Sequence, residues 1–191
     1  MIKFKHIQTL APKLLLAIDG LDEDIACSFL MDSAVQCMRD TQAIRQTLCI
    51  ELKPPATAYP LKTHLPIYEV LSITSPIPCE VHGDVLYVQD RCSTPTPPCK
   101  QGGFIYVTVS LVCLVDDDKI PDELYEKYGQ AIIHKALSQL FLMYGKSWYN
   151  IPLAREHERL YKDFVKKSRV HRVTKHNPLV IKLQPRVRTY L

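Results

Sequence analysis

Apolar residues recur at helical spacing in three parts of the chain. The first set follows the acidic run Asp22-Glu23-Asp24, whose charge suits the positive end of a helix dipole. Its members are Ala26, Leu30, Ala34, Cys37 and Met38. Because these residues share one side of a helix, the pattern predicts a helix over about 22–41.

The second set predicts a helix over about 121–144 that opens with Ile120-Pro121, since proline is tolerated in a first turn. Its apolar face comprises Leu124, Tyr128, Ile132, Ala136, Leu140 and Met143. Gly145 suits the position that follows a helix. Gly129 lies inside the helix and costs about 1 kcal/mol relative to alanine, which predicts a close contact with another helix.

The third set predicts a helix over about 151–167, with Asn150 as its cap and Pro152 in its first turn. Its apolar face comprises Leu153, His157, Leu160, Tyr161 and Phe164. The elbow before it is short and contains Trp148, so the last two helices are expected to be antiparallel neighbours. We assign Gly129 and Trp148 to packing and not to a binding site.

Between the first two helices, β-branched residues and prolines predict a β region over about 43–115. The strand candidates are Ile44–Leu52, Tyr68–Ile73, Val85–Gln89 and Phe104–Leu114. The prolines of Arg91–Gly103 indicate an exposed, extended loop. Near the N-terminus, Leu10–Ile18 is a short apolar segment. A chain of 191 residues with 47% hydrophobic content is expected to form one globular domain, over 1–168.

The charge is distributed unevenly. Eight of the 24 Lys and Arg residues lie between Lys166 and Leu191, whereas all 20 Asp and Glu residues lie at or before Asp163. The first 165 residues therefore have a net charge of −4, and a basic segment follows them. Asn177-Pro178 and Gln184-Pro185 interrupt this segment, so we expect an extended arm over 169–191 that needs a partner to become ordered.

The arm supports three interpretations. It can dock on a protein surface and add a strand there, neutralise phosphates of a nucleic acid, or remain a disordered, solubilising end. Apolar residues alternate with basic ones, as in Val180–Leu183 and Arg186–Leu191, and this alternation favours docking on protein.

Metal-ligand and catalytic patterns are weak. Cys92 and Cys99 have six residues between them, and the Cys79–His82 pair has no second pair of matching spacing. Asp116-Asp117-Asp118 are read as solvated turn residues, and Gly102-Gly103 as a turn. His134 and His157 are interpreted as packed histidines and not as catalytic bases. We expect no metal, no cofactor and no enzymatic activity.

The seven cysteines are scattered, and Cys27, Cys37, Cys49 and Cys113 fall within helix or strand patterns, where we interpret them as small core residues. An odd and scattered set favours a reducing compartment. The apolar run Leu14–Ile18 is too short for a signal peptide, and no run has the roughly 20 apolar residues of a membrane span.

Three stretches of the sequence together suggest a family. An acidic helix start (GLDEDIACSFLMDSAVQCMRDT) leads into a strand (AIRQTLCIEL), and a later strand ends in an acidic turn (VTVSLVCLVDDD). The closing segment reads IPDELYEKYGQAIIHKALSQLFLMYGKSWYNIPLAREHERLYKDFV. This order resembles the head-to-tail adaptor (connector) proteins of short-tailed bacteriophages, the tail tubular protein A-like group. The likeness extends over about residues 20–167.

The resemblance implies an α+β fold, in which an antiparallel helical bundle carries a β-sheet or β-hairpin insertion and ends in an extended C-terminal arm. It implies a structural virion protein that forms a ring of twelve subunits at the head-tail junction, after assembly in the host cytoplasm. The expected partners are other copies of the chain, the portal protein, a tail nozzle or tube protein and the DNA passing through the lumen. No membrane is expected.

By position, the arm corresponds to the segment that docks on the portal in the family. The docking residues implied in this way are Arg169, Arg172, Lys175, Val180, Ile181, Lys182, Leu183, Arg186, Val187, Arg188, Tyr190 and Leu191. The loop Arg91–Lys100 departs from the family pattern. Two other functions remain open, namely a nucleic-acid-binding module that uses the basic arm and an enzyme that depends on a Cys/His pair.

Overall fold

The fold is a mixed α/β arrangement with helices and small antiparallel sheets. We describe a computed structural model of the chain over residues 3–53, 56–75, 77–88, 104–113 and 118–176, with side chains described as far as residue 170. Its helices are α1 (Ala11–Ala17), α2 (Glu23–Thr41), α3 (Asp122–Leu140) and α4 (Ile151–His176), and a 3-10 turn at Ile7–Leu10 precedes α1.

Eight strands form three antiparallel sheets in the described part of the chain. They are β1 (Phe4–His6), β2 (Arg45–Glu51), β3 (Ala58–Pro60), β4 (Ile67–Thr74), β5 (Cys79–His82), β6 (Val85–Val88), β7 (Phe104–Leu111) and β8 (Lys119–Pro121). The strand orders are β2-β7-β4, β3-β6-β5 and β1-β8. The four predicted strands therefore exist, whereas β1, β3, β5 and β8 were not predicted.

The sheet β2-β7-β4 covers one side of the core. Residues of β7 alternate in burial, with Ile105, Val107 and Val109 completely buried and Phe104 and Tyr106 exposed. This alternation is what a strand produces when only one face of its sheet is covered. The buried face joins the apolar faces of the helices in a single hydrophobic core.

Helix α2 begins and ends close to its predicted bounds. The carboxylate of Asp22 accepts hydrogen bonds from the backbone N–H groups of Asp24 and Ile25, at 2.9 and 3.4 Å, and so caps the helix. Gln42 ends it in the left-handed conformation, with φ 47°. The acidic first turn was therefore a correct start signal.

Helix α3 ends earlier than predicted, at Leu140 and not at 144. The chain then turns through 141–149, and Gly145 has φ +81° within this elbow, five residues after the last helical residue. Asn150 caps α4 as predicted, because its side-chain oxygen accepts a hydrogen bond from the N–H of Leu153 at 3.1 Å. The backbone of Asn150 also donates to Phe141 O at 2.8 Å, which closes the elbow.

Helix α4 is nine residues longer than predicted. The expectation of an extended arm beginning at Arg169 is wrong for 169–176, which are helical. The apolar face predicted for this helix also needs correction. Up to residue 170, its buried residues are Ala154 and Tyr161, whereas Leu153 and Phe164 are 43% and 37% exposed.

The N-terminal apolar segment is more structured than predicted. Ile7, Leu10 and Leu14 are almost completely buried, and they anchor the 3-10 turn and α1 in the core. Leu10 lies beside Gly129 of α3, where an added Cβ would be 3.7 Å from Leu10 Cδ2. That distance is an ordinary van der Waals contact. The close helix approach predicted at Gly129 is therefore not what the structure shows.

Candidate interaction surface on helix α4

Basic residues form a stripe along α4. Counting from the first, they are separated by four, three, four and three positions, so all lie on one side of the helix. They are Arg155, Arg159, Lys162, Lys166 and Arg169, and we call this set the basic stripe. At 1.5 Å per residue, the stripe is about 21 Å long.

Part of the stripe borders a cleft between α2, α3 and α4. The cleft has a volume of about 530 Å³ and is lined by Lys162, Lys166 and Arg169 together with Asp40, Lys135 and Glu158. Four basic side chains thus face two carboxylates. Both carboxylates already have partners within the protein, so the surroundings of the cleft favour an anionic ligand.

Asp40, at the end of α2, is held by two residues of α4. The hydroxyl of Tyr161 donates a hydrogen bond to Asp40 Oδ2 at 2.5 Å. Arg169 donates from Nε and Nη2 to the backbone oxygen of Asp40 at 2.9 and 2.7 Å. Burial and the hydrogen bond to Asp40 raise the pKa of Tyr161, so this phenol is a donor and not a proton source near neutral pH.

An ion pair crosses from α3 to α4 at the floor of the cleft. Lys135 Nζ lies 3.0 Å from Glu158 Oε2 and 5.1 Å from the centre of the Tyr161 ring. The hydroxyl of Ser138 lies 2.7 Å from Lys135 O and 3.3 Å from the same carboxylate oxygen, so its single proton is shared between the two acceptors. Burial opposes ionisation of Glu158, but Lys135 and Lys162 outweigh it, and the pKa of Glu158 is lowered.

Two histidines meet on another side of the α3–α4 contact. His134 Nδ1 and His157 Nδ1 are 2.9 Å apart, and the ring of Phe141 stacks on His157 with a centroid distance of 5.7 Å. One imidazole must donate and the other accept, so a doubly protonated pair loses this bond. Burial lowers the pKa of both histidines, and His157 lowers that of His134 further.

The residues proposed for packing or docking are only partly described. Trp148 is half-buried against the core, and its indole Nε1 is buried with no hydrogen-bond partner among the described residues. Arg169 is engaged with α2. Arg172 and Lys175 lie in the helical part of α4, but their side chains fall outside the described residues. The docking residues from Val180 onward fall outside them completely.

The sequence reasoning missed most of this surface. It counted basic residues only from Lys166, although the spacing of Arg155, Arg159 and Lys162 was readable as one continuous stripe. The bonds from Tyr161 and Arg169 to Asp40 join residues that are 121 and 129 positions apart in the sequence. Nothing in the local sequence could have indicated them.

Other candidate chemistry is limited. In the described part of the chain, no group of three or more His, Cys, Asp or Glu residues is placed to hold a metal ion. Cys37 and Cys113 are buried, and burial raises the pKa of Cys37 to about 12. Cys49 is exposed on the open face of its sheet, so its interpretation as a core residue was wrong. Cys92, Cys99, Asp116 and Gly102 lie outside the described residues.

Comparison with known proteins adds no relative. No family model matches the chain, and no curated protein matches it in sequence. Within the described residues, none of the helices has the length and apolar character needed to cross a membrane.

Proposed function

We propose that the chain is a structural subunit of a virion, which forms a ring-shaped head-to-tail adaptor, joins the portal to the tail and lines the DNA exit channel. The observation that carries the proposal is the arrangement of the closing segment. The hairpin α3–α4 packs with α2, and the strands β2 to β7 lie between α2 and α3 in sequence. In this proposal α2, α3 and α4 are the antiparallel bundle and the strands are its insertion.

The proposal assigns a separate role to the end of the chain. Helix α4 extends to His176, and basic and apolar residues follow it in sequence. We assign portal docking to this segment, from Val180 to Leu191. Arg169 is reassigned to holding α2 and α4 together, because both of its described hydrogen bonds end on Asp40.

The deciding experiment measures the oligomeric state of the purified chain, alone and mixed with a portal ring, by native mass spectrometry and electron microscopy. We expect a ring, of twelve subunits, on the portal. A chain that stays monomeric and never binds a portal would refute the proposal.

A truncation separates the arm from the body. A chain ending at His176 keeps the contacts of Arg169, whereas a chain ending at 168 removes them. We expect the chain ending at His176 to fold and to lose portal attachment. Unchanged attachment would show that the docking segment lies elsewhere.

The alternative function is binding of nucleic acid through the basic arm, and the uneven distribution of charge favours it. It predicts that the full-length chain binds a DNA duplex and that its affinity falls steeply as the salt concentration rises. It also predicts that truncation at His176 abolishes the binding. An affinity for DNA that does not change on truncation would refute this alternative.

A further inference from the structure

The basic stripe has more positive charge than its contacts within the same protein neutralise. Arg159 pairs with Glu156 and Asp163, Lys162 pairs with Glu158, and Arg169 binds Asp40.

The two remaining members, Arg155 and Lys166, are exposed and have no ion-pair or hydrogen-bond partner within the described residues. Helix α4 as a whole contains eight Lys and Arg and three Glu and Asp. An excess of positive charge therefore remains along this helix.

A surface of opposite charge lies at the corner where α1 leads into α2. Four exposed acidic residues occur here within six positions, namely Asp19, Asp22, Glu23 and Asp24. They stand at the N-terminal end of α2, and Leu16 of α1, three residues before Asp19 in sequence, is 89% exposed. We call this set, with Leu16, the acidic corner.

Within one molecule the acidic corner lies far from the end of the stripe that binds Asp40. Asp40, which contacts the basic stripe, is sixteen residues along α2 from Asp24, a distance of about 24 Å at 1.5 Å per residue. The acidic corner is therefore about one helix length away from Arg169, the end of the stripe that binds Asp40. Salt screens exposed charges beyond roughly 8–10 Å at ordinary ionic strength, so the acidic corner hardly interacts with this end of the stripe within one subunit.

We infer that the basic stripe of α4 binds the acidic corner of a second copy of this chain. The two surfaces match in charge, and both have an exposed apolar residue at their edge, Val170 at 57% and Leu16 at 89%. Because the surfaces differ, the contact is heterologous: each copy uses its stripe on one neighbour and its corner on the other. When this contact is repeated from copy to copy, it forms a ring if the rotation between neighbouring copies returns the last copy to the first. The inference rests on the proposed function and names the contact between subunits.

The test reverses the charge of one surface at a time. Arg155→Glu/Lys166→Glu changes the two stripe residues without recorded partners, so the ion pairs of α4 are kept. Asp19→Lys/Glu23→Lys changes the corner and leaves Asp22, the cap of α2, in place. Each double variant is expected to raise the protein concentration needed for half-assembly at least tenfold, as measured by sedimentation velocity.

The variant that combines all four substitutions is the decisive one. It restores opposite charges across the contact, so it is expected to assemble again. If the two double variants had unrelated defects, their effects on assembly would add and the combined variant would assemble less. Lys62→Glu/Lys119→Glu is the matched control, with the same change of charge at exposed positions on other elements. Circular dichroism at each step verifies that the variants are folded.

The outcomes separate this inference from the proposed function. A wild-type ring that survives both reversals leaves the adaptor proposal standing and overturns the inference. A folded combined variant that stays monomeric also overturns it. A wild-type chain that never assembles refutes both. If reversal of the stripe weakens retention of a DNA duplex and leaves assembly unchanged, the stripe is a nucleic-acid surface and the inference is wrong.

Discussion

The hydroxyl of Tyr161 lies 2.5 Å from Asp40 Oδ2 and joins the middle of α4 to the last turn of α2. Tyr161 is 3% exposed, so its hydroxyl has little access to water when this bond is lost. Arg169 reinforces the junction two turns further along α4 by binding the backbone oxygen of the same residue. Two side chains of one helix therefore hold the end of another.

Tyr161→Phe is expected to destabilise the protein by about 1–3 kcal/mol, because it removes the donor to Oδ2 of a partly buried carboxylate, whose Oδ1 keeps its hydrogen bond from Gln36. Urea unfolding followed by circular dichroism measures the change. Tyr87→Phe is the matched control, since this ring is 43% exposed. Equal effects of the two substitutions would show that the bond to Asp40 contributes nothing.

Arg169→Lys is expected to weaken the same junction by about 1 kcal/mol, since a lysine cannot reproduce two hydrogen bonds from one planar group. Lys167→Arg, on the neighbouring exposed surface, is the control and should have no effect. Thermal unfolding measures both. A stability equal to that of the wild type would place Arg169 among the surface residues of no structural consequence.

Gly129→Ala is expected to stabilise the protein by about 0.5–1 kcal/mol, because alanine has the higher helix propensity and its Cβ would meet Leu10 at 3.7 Å without a clash. Gly145→Ala provides the opposite case. Its φ of +81° strains a residue with a Cβ, so a loss of stability is expected. If Gly129→Ala destabilises the protein, the contact is tighter than the structure indicates.

Stability is expected to fall as the pH is lowered through the range in which histidines titrate. Burial lowers the pKa of His134 and His157 in the folded state, so below their ordinary value of about 6.5 the unfolded chain binds more protons. The contribution of the pair is fully present above pH 6.5 and is lost as the pH falls through the folded values.

The melting temperature between pH 8 and 5.5 measures this contribution. The double variant His134→Gln/His157→Gln is expected to flatten the profile, whereas His64→Gln, at an exposed position, should leave it unchanged. A wild-type profile that is flat over this range would contradict the prediction.

The local pattern was sufficient where an element is specified by its own residues. The acidic start at Asp22 and the cap at Asn150 were both found in the sequence, because each acts on backbone groups within three positions of itself. The strand β7 was found for a similar reason, since its β-branched and aromatic residues favour a strand locally.

Longer-range features were missed for the opposite reason. The strand β1 pairs with β8 across more than one hundred residues, and three-residue strands have too little pattern to be recognised alone. The end of α4 was placed too early because polar and basic residues removed its apolar periodicity. Its contact with Asp40 through Arg169 supplies a stabilisation that periodicity does not record.

The candidate surface likewise has features that the sequence determines and features that depend on tertiary packing. The spacing of the basic stripe and the acidity of the corner are properties of the sequence, because helical geometry places residues three and four apart on one side. The partners of Arg159 and Lys162 lie three or four positions away on α4 itself. The partner of Arg169, by contrast, was decided by the tertiary structure, which sets α2, α3 and α4 around one cleft. Only this packing shows that Arg169 binds Asp40 whereas Lys166, which also lines the cleft, has no ion-pair partner within the described residues, because such contacts depend on elements distant in sequence.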